Sequence, residues 1–171
     1  GSNARTRTAS KEEFLKLLKV AKHPLSTILI MALYTGMRKG EILGLTWDKV
    51  DLKKNMITLQ PEDTKEKKEK RVPITPAVRD LLKSLPRSLK SDRCITQKSL
   101  PIFPGGITKA MKKACKDAGI PYGRKIPGGL SLHDLRATTK TFMAKAGIDS
   151  AIRSVLLGHS LQGLDRYYIR F

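Results

Sequence analysis

Residues Ile28-Leu29-Ile30-Met31-Ala32-Leu33 are apolar without a break, so a helix built on them has no polar face to offer water. No stretch of the chain approaches the roughly 18 apolar residues that a membrane span needs. This helix must therefore be wrapped by other elements of the same chain. It is expected to run from Leu25 to Tyr34, started by Pro24 and ended by Gly36. A length of 171 residues supplies enough wrapping for one domain with a real core, and too little for two.

The remaining punctuation suggests what does the wrapping. Ser10 with Glu13 is a capping box for a helix from Lys11 to about Lys22, with Phe14, Leu17, Leu18 and Ala21 on one face. A short helix follows from about Arg38 to Leu45. Met56-Ile57-Thr58-Leu59 and Arg71-Val72-Pro73-Ile74 flank the charged segment 62–70, which predicts a long-looped β-hairpin with Pro73 at an edge or a strand end. Thr75-Pro76 starts a helix over 77–85, and 86–104 is expected to be irregular, basic and superficial.

A helix begins near Gly106, and 119–130, with four glycines and two prolines, must be loop. Ser131 with Asp134 caps a helix from Leu132 to Ala146, stopped by Gly147. Asp149 caps a further helix ending at Leu157. The expected fold is α+β, mostly α-helical with a small antiparallel β-sheet at one edge.

Charge narrows the partner. Lys and Arg number 34 against 15 Asp and Glu, a formal net charge of +19. A globular domain this basic commonly holds a polyanion, nucleic acid above all, although a general positive surface also keeps a protein soluble. Lys109, Lys112, Lys113 and Lys116 share one helix face, with Ala110, Met111, Ala114 and Cys115 turned toward the core. That stripe is either a solvated face or a phosphate track.

Cys94 and Cys115 lie far apart, with no C-x-x-C and no neighbouring His, which argues against a zinc site or a disulfide framework and suits a reducing compartment. No signal peptide is visible, Gly1-Ser2-Asn3-Ala4 reads as an expression-tag remnant, and the cytoplasm fits best.

Three segments carry candidate chemistry. In Ser131-Leu132-His133-Asp134-Leu135-Arg136, His133 and Arg136 lie three apart on the first turn of a capped helix. With the free amides there they make a phosphate socket, or else a surface His beside an Arg paired with Asp134. Arg38 and Glu41 form a second i, i+3 pair. Such a pair is ordinarily worth under about 1 kcal/mol, but an arginine held between a buried helix and an apolar turn is preorganised for phosphoryl transfer. Finally, Leu157-Gly158-His159 is followed nine residues on by Tyr168. On one unbroken helix these would face opposite ways, about 900° apart; a break at Gly163 lets both turn toward one site.

The segments T-G-M-R-K-G-E-I-L-G-L, H-D-L-R and L-G-H with its following Tyr, in that order, resemble the catalytic domain of the tyrosine recombinases, the phage integrase family. The resemblance covers the chain from Ser10 onward, and its motif spellings are nearer the integrases than the type IB topoisomerases. It implies that Arg38 and Arg136 grip the scissile phosphate and that His133 hydrogen-bonds or handles a proton. His159 supports the phosphate, Tyr168 is the nucleophile, and Glu41 braces the first arginine's helix. The family's general-acid lysine, eight residues before Pro73, falls on Lys65, with Lys67, Lys68 and Lys70 as competitors.

The implied activity is site-specific recombination of double-stranded DNA through a 3′-phosphotyrosyl intermediate, with no metal, ATP or other cofactor. The implied assembly is a tetramer on DNA, with this fragment alone a monomer. A single catalytic domain is expected over 5–171, without the family's N-terminal core-binding domain, so DNA binding by the fragment should be weak. Only Ile169, Arg170 and Phe171 follow the tyrosine, and Leu164-Asp165-Arg166 replace the usual threonines, which leaves Tyr167 as a rival nucleophile. Two other functions fit parts of the sequence: a non-catalytic DNA-binding module, and a metal-dependent nuclease built on the D-x-K echo at Asp63 and Lys65.

Overall fold

A computed structural model describes residues 7–145, with side chains described as far as Thr139. The first helix, α1 (Lys11–Val20), opens on the expected box: the Ser10 hydroxyl accepts the Glu13 N–H at 3.1 Å, and the Glu13 carboxylate accepts the Ser10 N–H at 3.0 Å. It buries Phe14 and Leu17.

The apolar helix α2 (Leu25–Thr35) lies at the centre, with Leu25, Ile28, Leu29, Met31, Ala32 and Leu33 buried around its circumference. Each large side chain there contributes about 1.5–3 kcal/mol by leaving water. Gly36 ends the helix with φ +68°, a left-handed conformation in which it returns its N–H to Ala32 O at 3.0 Å. Short α3 (Lys39–Gly44), α4 (Pro76–Ser84), α5 (Pro104–Ala118) and α6 (Asp134–Lys145) all pack on α2, and α1 packs on α5.

One antiparallel sheet has the order β1 (Val50–Asp51), β2 (Met56–Leu59), β3 (Lys70–Pro73), with Ile57 opposite Val72. Pro73 sits on the edge strand, where a missing N–H costs no ladder bond. Strand β1 was not foreseen, because two residues carry no alternation to read.

Several boundaries move. Strand β3 begins one residue earlier than expected, at Lys70, and α5 begins at Pro104. The segment 86–104 is not merely superficial: Cys94, Ile95, Thr96 and Ile102 are buried, and β4 (Thr96–Gln97) pairs with β5 (Leu100–Pro101). Helix α6 begins at Asp134 rather than Leu132, because 131–136 winds through i to i+3 bonds first. Ser131 does not act as a simple acceptor either. Its N–H and hydroxyl both donate to Asp134 Oδ2, at 2.8 and 3.0 Å.

Helix α6 is fastened to both ends of the early chain. Thr139 donates to Leu33 O at 2.7 Å, and the Thr138 hydroxyl accepts the Ala9 N–H at 2.8 Å. Among the described residues, no helix is long and apolar enough to cross a membrane. The expected helix end at Gly147 and the helix from Asp149 to Leu157 lie outside the described residues.

Candidate active site

The left-handed turn at Gly36 delivers Arg38 in extended backbone just ahead of α3. Glu41, one turn into α3, reaches back and accepts the Arg38 N–H at 2.9 Å. That carboxylate is buried at 4% exposure and also receives Lys70 Nζ at 3.1 and 3.3 Å. Burial pushes the Lys70 ammonium below its ordinary value, with Glu41 pulling it back up. The Arg38 guanidinium stands apart from Glu41, with Nη1 3.9 Å from Oε2, too far for a hydrogen bond. Its Nη2 instead pairs with Glu66 at 2.5 Å.

Arg136 leaves the first turn of α6 toward the same place. Its Nε–H donates to the carbonyl of Gly36. Burial, then the nearby charge of Arg38, pushes its pKa below the ordinary arginine value; guanidinium groups start so far above neutrality that it stays charged. His133, immediately before α6, reaches solvent at the cleft wall. Partial desolvation, then Arg124 and Arg136, lower its pKa, which favours the neutral imidazole at neutral pH.

Lys65 arrives on the β2–β3 connection. Buried Thr64 organises that turn: its hydroxyl donates to Lys68 O at 2.9 Å and accepts the Lys68 N–H at 3.1 Å. The result is one cleft of about 500 Å³ whose wall includes Arg38, Lys65, His133, Arg136 and Arg124, over Met37, Ile107 and Met111. Of the four turn lysines, Lys65 lines this cleft, while Lys70 is turned inward on β3 against Glu41.

The α5 lysines Lys109, Lys112, Lys113 and Lys116 are exposed and line a separate groove of about 440 Å³ that shares Tyr122 with the cleft. Lys113 is paired with Asp117 at 2.7 Å. His159, Tyr167 and Tyr168 lie outside the described residues.

The phage integrase family profile matches residues 7–170. The chain belongs to the phage integrase family. It is 25% identical over 191 residues to a XerC-like tyrosine recombinase of Caldanaerobacter subterraneus subsp. tengcongensis, covering 90% of this chain and 47% of that protein. To the integrase of Salmonella phage P22 it is 23% identical over 170 residues, covering 96% and 44%. The chain thus spans less than half the length of these two curated relatives. Its fold is similar to that of a lambda integrase dimer bound to a COC′ core site, with TM-score 0.73, 19% identity, and coverage of 96% of this chain and 61% of that one.

Three features of this integrase-family cleft were not read from the sequence. Glu66 sits on Arg38, Arg124 bears on His133, and Lys70 holds Glu41. The Lys70 assignment had a usable signal, since Lys70 and Val72 alternate on one strand face and both are buried. Glu66 and Arg124 lie in loops, whose side-chain directions no period fixes.

Proposed function

We propose that this chain breaks and rejoins double-stranded DNA as the catalytic part of a site-specific recombinase. The observation that carries the reading is the convergence of Arg38, Lys65, His133 and Arg136, from three separate segments, on one cleft. The guanidiniums of Arg38 and Arg136 and the Lys65 ammonium in one cleft suit a phosphodiester, whose transition state spreads negative charge over its equatorial oxygens. In this reading the Tyr168 oxygen attacks phosphorus in line. The bond to the 5′-oxygen breaks, and a 3′-phosphotyrosyl link forms. Neutral His133 helps take the tyrosine proton, needed because a phenol with pKa near 10 is a poor nucleophile at neutral pH. Lys65 returns a proton to the departing 5′-oxygen.

Arg38, Arg136 and His159 hold the pentacoordinate phosphate, and Glu41 keeps Arg38 in place. The covalent link conserves the phosphodiester energy, so attack by another 5′-hydroxyl rejoins a strand without ATP. The exposed lysines Lys109, Lys112, Lys113 and Lys116 track the flanking phosphates. Assembly as a tetramer on DNA and a cytoplasmic location belong to the same proposal.

The nuclease alternative gains no support from Asp63, whose carboxylate is taken by Lys49 at 2.6 Å and by the Gln60 N–H at 2.8 Å. A DNA duplex nicked near the cleavage site, taken from the parent element's own ends, tests the reading. Incubated in EDTA with this chain and with full-length protein, it should yield a covalent protein–DNA adduct on a denaturing gel. Cleavage abolished by EDTA would favour a nuclease. DNA binding without an adduct from either protein would favour a binding module.

A further inference from the structure

We propose that Lys70 is a positioning residue for Arg38: its ammonium takes up the Glu41 carboxylate, so that Glu41 caps the Arg38 backbone without capturing the guanidinium. The inference rests on the reading of Arg38 as a phosphate ligand.

The geometry carries it. Glu41 and Lys70 are exposed by only 4% and 6%, so each charge needs a partner close by. Both carboxylate oxygens of Glu41 meet Lys70 Nζ, at 3.1 and 3.3 Å, and one of them also accepts the Arg38 N–H at 2.9 Å. The guanidinium of Arg38, only 3.9 Å away at Nη1, makes no hydrogen bond to that carboxylate. Remove Lys70, and a buried carboxylate is left facing the nearest remaining cation, which is Arg38. The arginine would close the gap of about 1 Å to hydrogen-bond distance and turn away from the cleft.

Lys70 is well placed to prevent this. It sits on a strand opposite Leu59, so its backbone is fixed by the sheet while Lys65, five residues earlier, rides on the turn. The β2–β3 turn and the strand it leads into therefore do different work. One faces the cleft; the other holds the brace behind Arg38.

The test follows the Arg38 side-chain Nε–H signal by NMR while the 171-residue protein is titrated with inorganic phosphate. Lys70→Met should weaken phosphate binding at Arg38 by at least about tenfold, Lys70→Arg should restore most of it, and Lys70→Met/Glu41→Gln should recover to within about threefold of wild type. The glutamine keeps an acceptor for the Arg38 N–H and removes the charge that captures the guanidinium. Lys70→Met binding phosphate like wild type would overturn the assignment. So would a double variant as weak as the single one, or a wild-type Arg38 signal unmoved by phosphate.

If Lys70→Met does not fold, the double variant alone decides. Wild-type phosphate affinity supports the brace, and a tenfold loss means that Lys70 acts through its own charge. Phosphate-dependent shifts without any covalent DNA adduct would sink the strand-cleavage reading and leave the brace standing. An adduct formed by Lys70→Met at the wild-type rate would do the reverse.

Discussion

Arg136 donates its Nε–H to the carbonyl of Gly36, the residue that ends α2 and lies two positions before Arg38. Arg38 and Arg136, far apart in the chain, are thus fixed to one short stretch of backbone. The glycine makes the contact possible, since its φ of +68° both ends the helix and turns the chain toward α3.

A lysine at position 136 keeps a charge but has neither the Nε donor nor the flat fork. Arg136→Lys should therefore slow adduct formation by about 10²–10³-fold, the usual cost of losing one transition-state donor. Single-turnover cleavage measures it, with a thermal melt to show that the fold is kept.

Glu66 occupies Arg38 Nη2 at 2.5 Å, the position that the proposed function gives to a phosphate oxygen. The carboxylate is half-exposed, so solvent screening limits the gain from removing it. Glu66→Gln should strengthen phosphate binding at Arg38 by no more than about fivefold. Unchanged or weaker binding would mean that the pair does not compete with phosphate.

His133 should titrate below the ordinary histidine value, because desolvation and the charges of Arg124 and Arg136 disfavour its imidazolium. Arg124→Gln should raise that pKa, as followed by the ring-proton shifts in NMR. The sign for stability follows from linkage. Just below the ordinary histidine pKa of about 6.5 the unfolded chain binds more protons than the folded one, so this residue lowers stability as pH falls from there toward its own folded pKa.

Gly129 closes the loop that carries Arg124. A Cβ there would lie 2.0 Å from the Gly123 carbonyl oxygen, a backbone atom that cannot step aside cheaply. Gly129→Ala should cost about 1–3 kcal/mol. Denaturant unfolding measures it, and the His133 pKa should move as the loop shifts.

Much of this was legible in the sequence where local rules act alone. The Ser10–Glu13 box, the all-round burial of α2 and its stop at Gly36 each depend on a few neighbouring residues, and each is present. The α6 start was misplaced because a capping pattern specifies a turn without choosing between α and i to i+3 winding. Within the cleft, Arg38 and Arg136 could be named from motif spelling, but their meeting depends on the Gly36 carbonyl, a backbone acceptor that no side-chain pattern records. The burial of Cys94 and Ile95 is not legible in the sequence for a different reason. They are held by tertiary contacts, the Cys94 N–H to Leu45 O at 2.9 Å among them, inside a segment with no period of its own.

In the proposed reaction, Tyr168 attacks a phosphodiester held by Arg38 and Arg136. Mapping the covalent adduct tests it most directly. The protein is incubated in EDTA with the nicked duplex, digested, and the DNA-bearing peptide sequenced by mass spectrometry. The expected result is a 3′-phosphate ester on Tyr168, lost in Tyr168→Phe and kept in Tyr167→Phe. An adduct on Tyr167, or one that survives Tyr168→Phe, would contradict it.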